Sequence, residues 1–233
     1  MNPRTIHVKF QLMDRNAAMS TKIRKAAYVN QRLREIGFWF VDIPRTSSTA
    51  IRLAFYQRHG KLFGKPSNSQ GIGRGLIPPH VPAVELRDQL DADIWDGLYK
   101  FTIIRNPFER VLSLYLFLQS NGKLSQLPFT DYVKKLVGHE YDYHGHYMSN
   151  SGYICDKDGN LLVDDVFRFE DRAQVMPLIA KKTSCPELAS GGEKTYQTQH
   201  GHYSQYYDAS TRKRVEDFFQ EDFERFSFHF ERK

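Results

Sequence analysis

Short apolar runs, each followed by helical spacing, recur along the chain. FWFVDI, residues 38–43, has the unbroken apolar character of a buried strand, and Pro44 ends it. Ile51, Leu53, Ala54 and Phe55 then cluster as on one helix face. A second unit repeats the scheme in KFTIIRNPFERVLSLYLFLQSNG: Phe101, Ile103 and Ile104 suit a buried strand, and Pro107 suits a helix's first turn. Val111, Leu112, Leu114, Tyr115 and Leu118 recur at threes and fours. Glycine and proline crowd residues 60–79, which predicts a loop, and Val81 to Leu90 reads as a helix with Pro82 in its first turn. Further helices are predicted near 129–137, over 172–182 and over 210–226, and GYICDKDGNLLVD reads as a hairpin turning at Asp158-Gly159. Strands separated by helices predict an α/β fold, a parallel sheet with helices on both faces.

A length of 233 residues fits one such domain, and 40% hydrophobic with 26% charged residues is ordinary for a globular chain. No apolar run approaches the roughly 18 residues of a membrane span, and the first residues lack an apolar leader core. The expectation is a cytoplasmic protein with no integral membrane segment. Cys155 and Cys185 are too few for a disulfide framework and too isolated for a zinc cluster. The net charge of +6 sits wholly in residues 1–36, where eight Lys/Arg face Asp14 and Glu35. We therefore divide the chain into a basic arm, 1–36, and a catalytic-type domain, 37–233. The arm holds only Phe10 and Tyr28 for stacking, so no nucleic-acid partner is expected.

The chemistry concentrates where strands end. In IPRTSSTAIR a strand, a tight turn and a helix start gather unpaired backbone N–H groups and the positive end of a helix dipole. Thr46, Ser47, Ser48 and Thr49 add hydroxyl donors, and Arg45 adds a permanent cation. Serine and threonine also cap helices for purely structural reasons, so this stretch alone leaves both readings open. The spacing is not the GxxxxGK[ST] of a nucleoside triphosphatase. In the second unit Arg105 leaves a strand and Ser113 follows two turns into the next helix, so guanidinium and hydroxyl can meet one anion. Two such strand ends imply a ligand with two separated anionic groups.

These two stretches resemble the sulfotransferases that use 3′-phosphoadenosine 5′-phosphosulfate (PAPS), especially the carbohydrate-type group and its bacterial relatives. IPRTSSTAIR is similar to their 5′-phosphosulfate loop, and FTIIRNPFERVLSLY to their 3′-phosphate motif. The likeness extends through HVPAVELRDQLDADIWDGLYKF, VDDVFRFED and HYSQYYDASTRKRVEDFFQEDFERFSFHF. It implies a P-loop-like three-layer fold, a central parallel sheet flanked by helices. It implies PAPS as donor and 3′-phosphoadenosine 5′-phosphate (PAP) as product, with no metal, and a carbohydrate or other hydroxylated small molecule as acceptor. By this resemblance Thr46, Ser47, Ser48 and Thr49 hold the donor's 5′ end, and Arg105 and Ser113 hold its 3′-phosphate. Arg45 stands where the family usually has lysine. An arginine supplies the same charge at the bridging oxygen but is a poor proton donor.

A base must take the proton of the attacking hydroxyl, and His80, between the two nucleotide motifs, is the candidate; Glu85 and His59 are the alternatives. GIGRG at 71–75 lacks a preceding strand and reads as a loop. His139, His144 and His146 lie among tyrosines that suit an acceptor surface better than a metal, and residues 194–203 could cover the nucleotide. Two rival readings stand: a non-catalytic protein that binds a nucleotide or polyanion on the same fold, and a kinase, which would need Mg²⁺ ligands and a phosphate-loop lysine.

Overall fold

The computed structural model describes residues 25–64, 66–67, 71–72, 75–122, 124, 127–137, 148–189 and 200–233. The predicted features at 1–24, at His139, His144 and His146, and over most of 194–203 lie outside them. Helix α1 (Ala26–Ile36) buries Val29 and Leu33, and Gly37, at φ 74°, turns the chain into β1 (Phe38–Val41). Glycine takes that left-handed conformation without steric cost. The loop 42–47 then leads into α2 (Ser48–His59). A 3-10 turn at Gly60–Leu62 and the two-residue strands β2 (Pro66–Ser67) and β3 (Gly71–Ile72), paired antiparallel, follow within the segment predicted as loop.

Two short helices, α3 (Ala83–Arg87) and α4 (Ala92–Gly97), precede β4 (Tyr99–Ile104). The predicted helix to Leu90 stops early because its last amides bond three residues back rather than four: Gln89 N to Leu86 O, Leu90 N to Arg87 O. Then come α5 (Pro107–Ser120), α6 (Phe129–Leu136), α7 (Asn150–Ile154), β5 (Asp165–Arg168) and α8 (Arg172–Lys182), followed by α9 (Ala209–Phe218) and α10 (Gln220–Phe226). The single helix predicted for 210–226 is broken at Phe219.

The predicted hairpin around Asp158-Gly159 is a correction. Its first arm is the helix α7, and all that remains of antiparallel pairing is one bridge, Cys155 to Leu161. The turn is where expected, with Gly159 at φ 82°. It closes on the Asp156 carboxylate, which accepts from the Asp158 and Asn160 amides, both at 2.9 Å. Beyond it the chain pairs parallel to β4 instead of returning on itself.

The sheet order is β1-β4-β5, all parallel, with Phe38 opposite Tyr99 and Phe101 opposite Asp165. This α/β architecture, a parallel sheet flanked by helices, is the one expected. Phe40 stacks on Phe101 within the main core with Phe55 edge-on to both, while Phe108, Tyr115, Tyr132, Val215 and Phe219 form a second core among α5, α6 and α9. Because the strands run the same way, the segments after β1, β4 and β5 begin along one edge. Open α/β sheets bind ligands at such an edge. Among the described residues, no helix is long and apolar enough to cross a membrane.

Candidate active site

The loop after β1 is shaped by backbone outliers. Arg45 (φ 67°) and Ser47 (φ 70°) both hold left-handed conformations, which are uncommon outside glycine and recur at ligand sites. Left-handed residues alternating with right-handed ones can curl successive N–H groups inward, the geometry of an anion-binding nest. Thr46 is buried, and its hydroxyl donates to Ile43 O at 2.8 Å, closing the turn. Its part in the site is therefore the loop's shape and its own amide. Ser47 stands at the N-cap of α2 without using its side chain as a cap. Among the described residues the hydroxyls of Ser47, Ser48 and Thr49 make no hydrogen bond, whereas Asn106 and Ser149 do cap their helices. The capping reading of this serine/threonine run thus loses its support.

The two motifs meet. Arg45 Nε donates to Ser113 Oγ at 3.1 Å, and its guanidinium lies 4.6 Å from the centre of the Phe117 ring. Arg105 Nη1 donates to the Arg45 carbonyl at 3.1 Å, its Nε donates to Glu109 at 3.1 Å, and it lies 4.1 Å over Phe169. The other terminal nitrogen, Nη2, donates to nothing among the described residues, so the fork keeps a free prong. Partial burial, and then the neighbouring Arg105, pull Arg45 down to about 10, still fully charged at neutral pH. Two arginines thus bring positive charge to one strand edge, Arg105 sharing part of its own with Glu109.

A buried network that the sequence did not advertise holds Arg105 from behind. Asn150 Nδ2 donates to the Arg105 carbonyl at 3.1 Å and to Asp222 at 2.9 Å, while Arg110 donates to Asn150 Oδ1 at 3.0 Å. Asp222 also accepts from the Ser151 amide at 2.8 Å, and its burial raises its pKa.

His80 lies on the same edge. Its own backbone is left-handed (φ 61°), its amide donates to Asp42 Oδ1 at 3.0 Å, and Nδ1 is 2.8 Å from the Asp42 carbonyl. A carbonyl can only accept, so Nδ1 carries the hydrogen and the lone pair is on Nε2. Burial lowers the pKa, against the pull of Asp42, which keeps the ring neutral. The alternatives fare differently. His59 ends α2, about 16 Å along the helix from its start, packed against Phe38, Phe55 and Phe63 at the far end of β1. Glu85, on α3, hydrogen-bonds to none of Arg45, Arg105, Ser113 or His80.

A family model described as Sulfotransferase family matches residues 80–229. The chain belongs to the sulfotransferase family. The match opens at His80 and takes in Arg105 and Ser113, and it covers the family as a whole rather than its carbohydrate-type members. No curated protein matches the chain. Members of the family are enzymes, so this sulfotransferase transfers sulfuryl groups from a sulfate donor to a hydroxylated acceptor.

Proposed function

We propose that the enzyme moves the sulfuryl group of PAPS to a hydroxyl of a carbohydrate or another hydroxylated small molecule, releasing PAP. The observation that carries this reading is the contact of Arg45 with Ser113 and of Arg105 with the Arg45 carbonyl. It turns two anion-binding strand ends into one site for a nucleotide charged at both ends.

When bound, the donor supplies a sulfuryl group on a phosphate leaving group. Arg105, with its free prong, and Ser113 hold the 3′-phosphate. The hydroxyls of Ser47, Ser48 and Thr49, with the loop amides from Thr46 onward, hold the 5′ end. Arg45 offsets the charge that grows on the bridging oxygen as the sulfur–oxygen bond breaks, and a leaving phosphate needs that charge more than it needs a proton. His80 Nε2 takes the proton of the acceptor hydroxyl as its oxygen attacks sulfur, in line with the departing oxygen.

Calorimetry with PAP against ATP tests the donor assignment, and radiolabelled sulfuryl turnover over a panel of sugars and phenols tests the reaction. Preference for ATP would move the protein to a kinase-type reading. Arg45 in place of the usual lysine favours one second reading, a protein that binds the nucleotide without turning it over. Tight PAP binding with no transfer to any acceptor and no donor hydrolysis would support it.

A further inference from the structure

His80 is gripped by a single residue from three directions. The Asp42 carbonyl faces Nδ1 at 2.8 Å, Asp42 Oδ1 accepts the His80 amide at 3.0 Å, and Asp42 Oδ2 lies 3.4 Å from Nδ1. That last oxygen is buried and has no hydrogen-bond partner among the described residues. Asp42 is also paired with the fully buried Arg52, Nη1 to Oδ1 at 3.3 Å. Neutralising Arg52 is the plain structural role for a carboxylate here, yet the pairing is poorly suited to it. Only one oxygen is used, at a long distance, while Arg52 donates its better bonds to the carbonyls of Phe63, at 2.8 Å, and Ile77, at 3.2 Å. A carboxylate meant only for an arginine would present both oxygens to the fork. Instead Arg52 pins one oxygen and leaves the other facing the imidazole.

We infer that Asp42 is the positioning residue of His80: its carbonyl selects the Nδ1–H tautomer, and its unpartnered Oδ2 stabilises the imidazolium formed when Nε2 takes the acceptor's proton. The inference rests on His80 being the base. No atom need travel far, because a small turn of the ring exchanges the carbonyl for Oδ2 as partner of Nδ1–H, a bond that strengthens as the ring gains charge. The proton goes from the acceptor hydroxyl to Nε2, and Nδ1 keeps its own. Among the described residues the charged groups facing the ring are Asp42, Arg52 and Arg45; the two arginines oppose protonation and Asp42 favours it.

Asp42→Asn keeps the Oδ1 acceptor and removes the charge. Its expected signature is a kcat lowered tenfold to a hundredfold, a donor KM within twofold, and an acid limb of kcat/KM displaced to lower pH. The His80 ring, titrated by NMR, should move the same way. A limb and a ring titration that stay in place while activity falls at every pH would reduce Asp42 to a structural partner of Arg52 and overturn the inference. Should the variant not fold, ¹⁵N spectra of His80 in the unaltered enzyme decide: protonated Nδ1 with unprotonated Nε2 supports the assignment, and the reverse tautomer defeats it. His80→Ala separates the two levels. Turnover retained in that variant removes the base and the inference together, whereas loss of turnover with an unmoved limb in Asp42→Asn removes only the inference.

Discussion

Arg45 Nε and Ser113 Oγ are hydrogen-bonded at 3.1 Å although 68 positions separate them in the chain. Parallel pairing of β1 with β4 brings this about, since Val41 is opposite Thr102 and both strands release their loops on one side. The bond makes Arg45 common to both halves of the proposed nucleotide site, so its replacement should be felt at both.

Arg45→Ala is expected to lower kcat by about a hundredfold or more, the scale of losing one preorganised charge donor at a leaving oxygen. Arg45→Lys should stay within about tenfold of the unaltered enzyme, because the ammonium keeps the charge and loses the fork. Steady-state kinetics on both variants checks the order.

Arg105→Ala should weaken PAP by about tenfold to a hundredfold, as expected for a charge-assisted hydrogen bond of roughly 1.5–3 kcal/mol. Adenosine 5′-phosphosulfate, which lacks the 3′-phosphate, should bind variant and parent alike. A matching loss for both ligands in calorimetry would place Arg105 elsewhere in the recognition.

The His80 ring gives stability a pH dependence of known sign. Its pKa in the fold lies below the ordinary 6.5 because burial disfavours the charged ring. The unfolded chain therefore takes up the proton first on acidification. The contribution is complete above pH 6.5 and drains away as pH falls towards the folded value. Thermal melts over this window should show a decline that flattens in His80→Ala.

Asp222→Ala should cost about 3 kcal/mol in urea unfolding, because it leaves several buried donors unpaired and removes the carboxylate charge felt by Arg110. The lost bonds come from the Asn150 amide at 2.7 Å, the Asn150 side chain at 2.9 Å, the Ser151 amide at 2.8 Å and the Ser151 hydroxyl at 2.9 Å. PAP binding should weaken with it, since Asn150 also holds the Arg105 carbonyl.

What could be read from the chain was what local chemistry marks. Pro107 at a first turn and the apolar spacing after it announce α5, and Asn106 duly caps it. The split at Phe219 carried no glycine or proline to signal it, and α4 spans only six residues, too few for a period. Tyr153 and Ile154 looked like strand residues because an apolar pair before an Asp-Gly turn satisfies hairpin and short helix alike; the Asp222 carboxylate, binding the amides of Asn150 and Ser151, decides for helix. Among the proposed site residues, Arg45, Arg105 and Ser113 stood at recognisable offsets. Asp42 did not, since its importance comes from His80 and Arg52, 38 and 10 positions away.

The contact of Arg105 with the Arg45 carbonyl also bears on how the enzyme should be handled at the bench. The proposed site, two arginines beside a left-handed turn, is expected to take inorganic oxyanions from its surroundings. Sulfate or phosphate carried over from purification would then act as a competitive occupant, so kinetics in chloride-based Tris or HEPES should yield tighter donor constants than the same assay in phosphate.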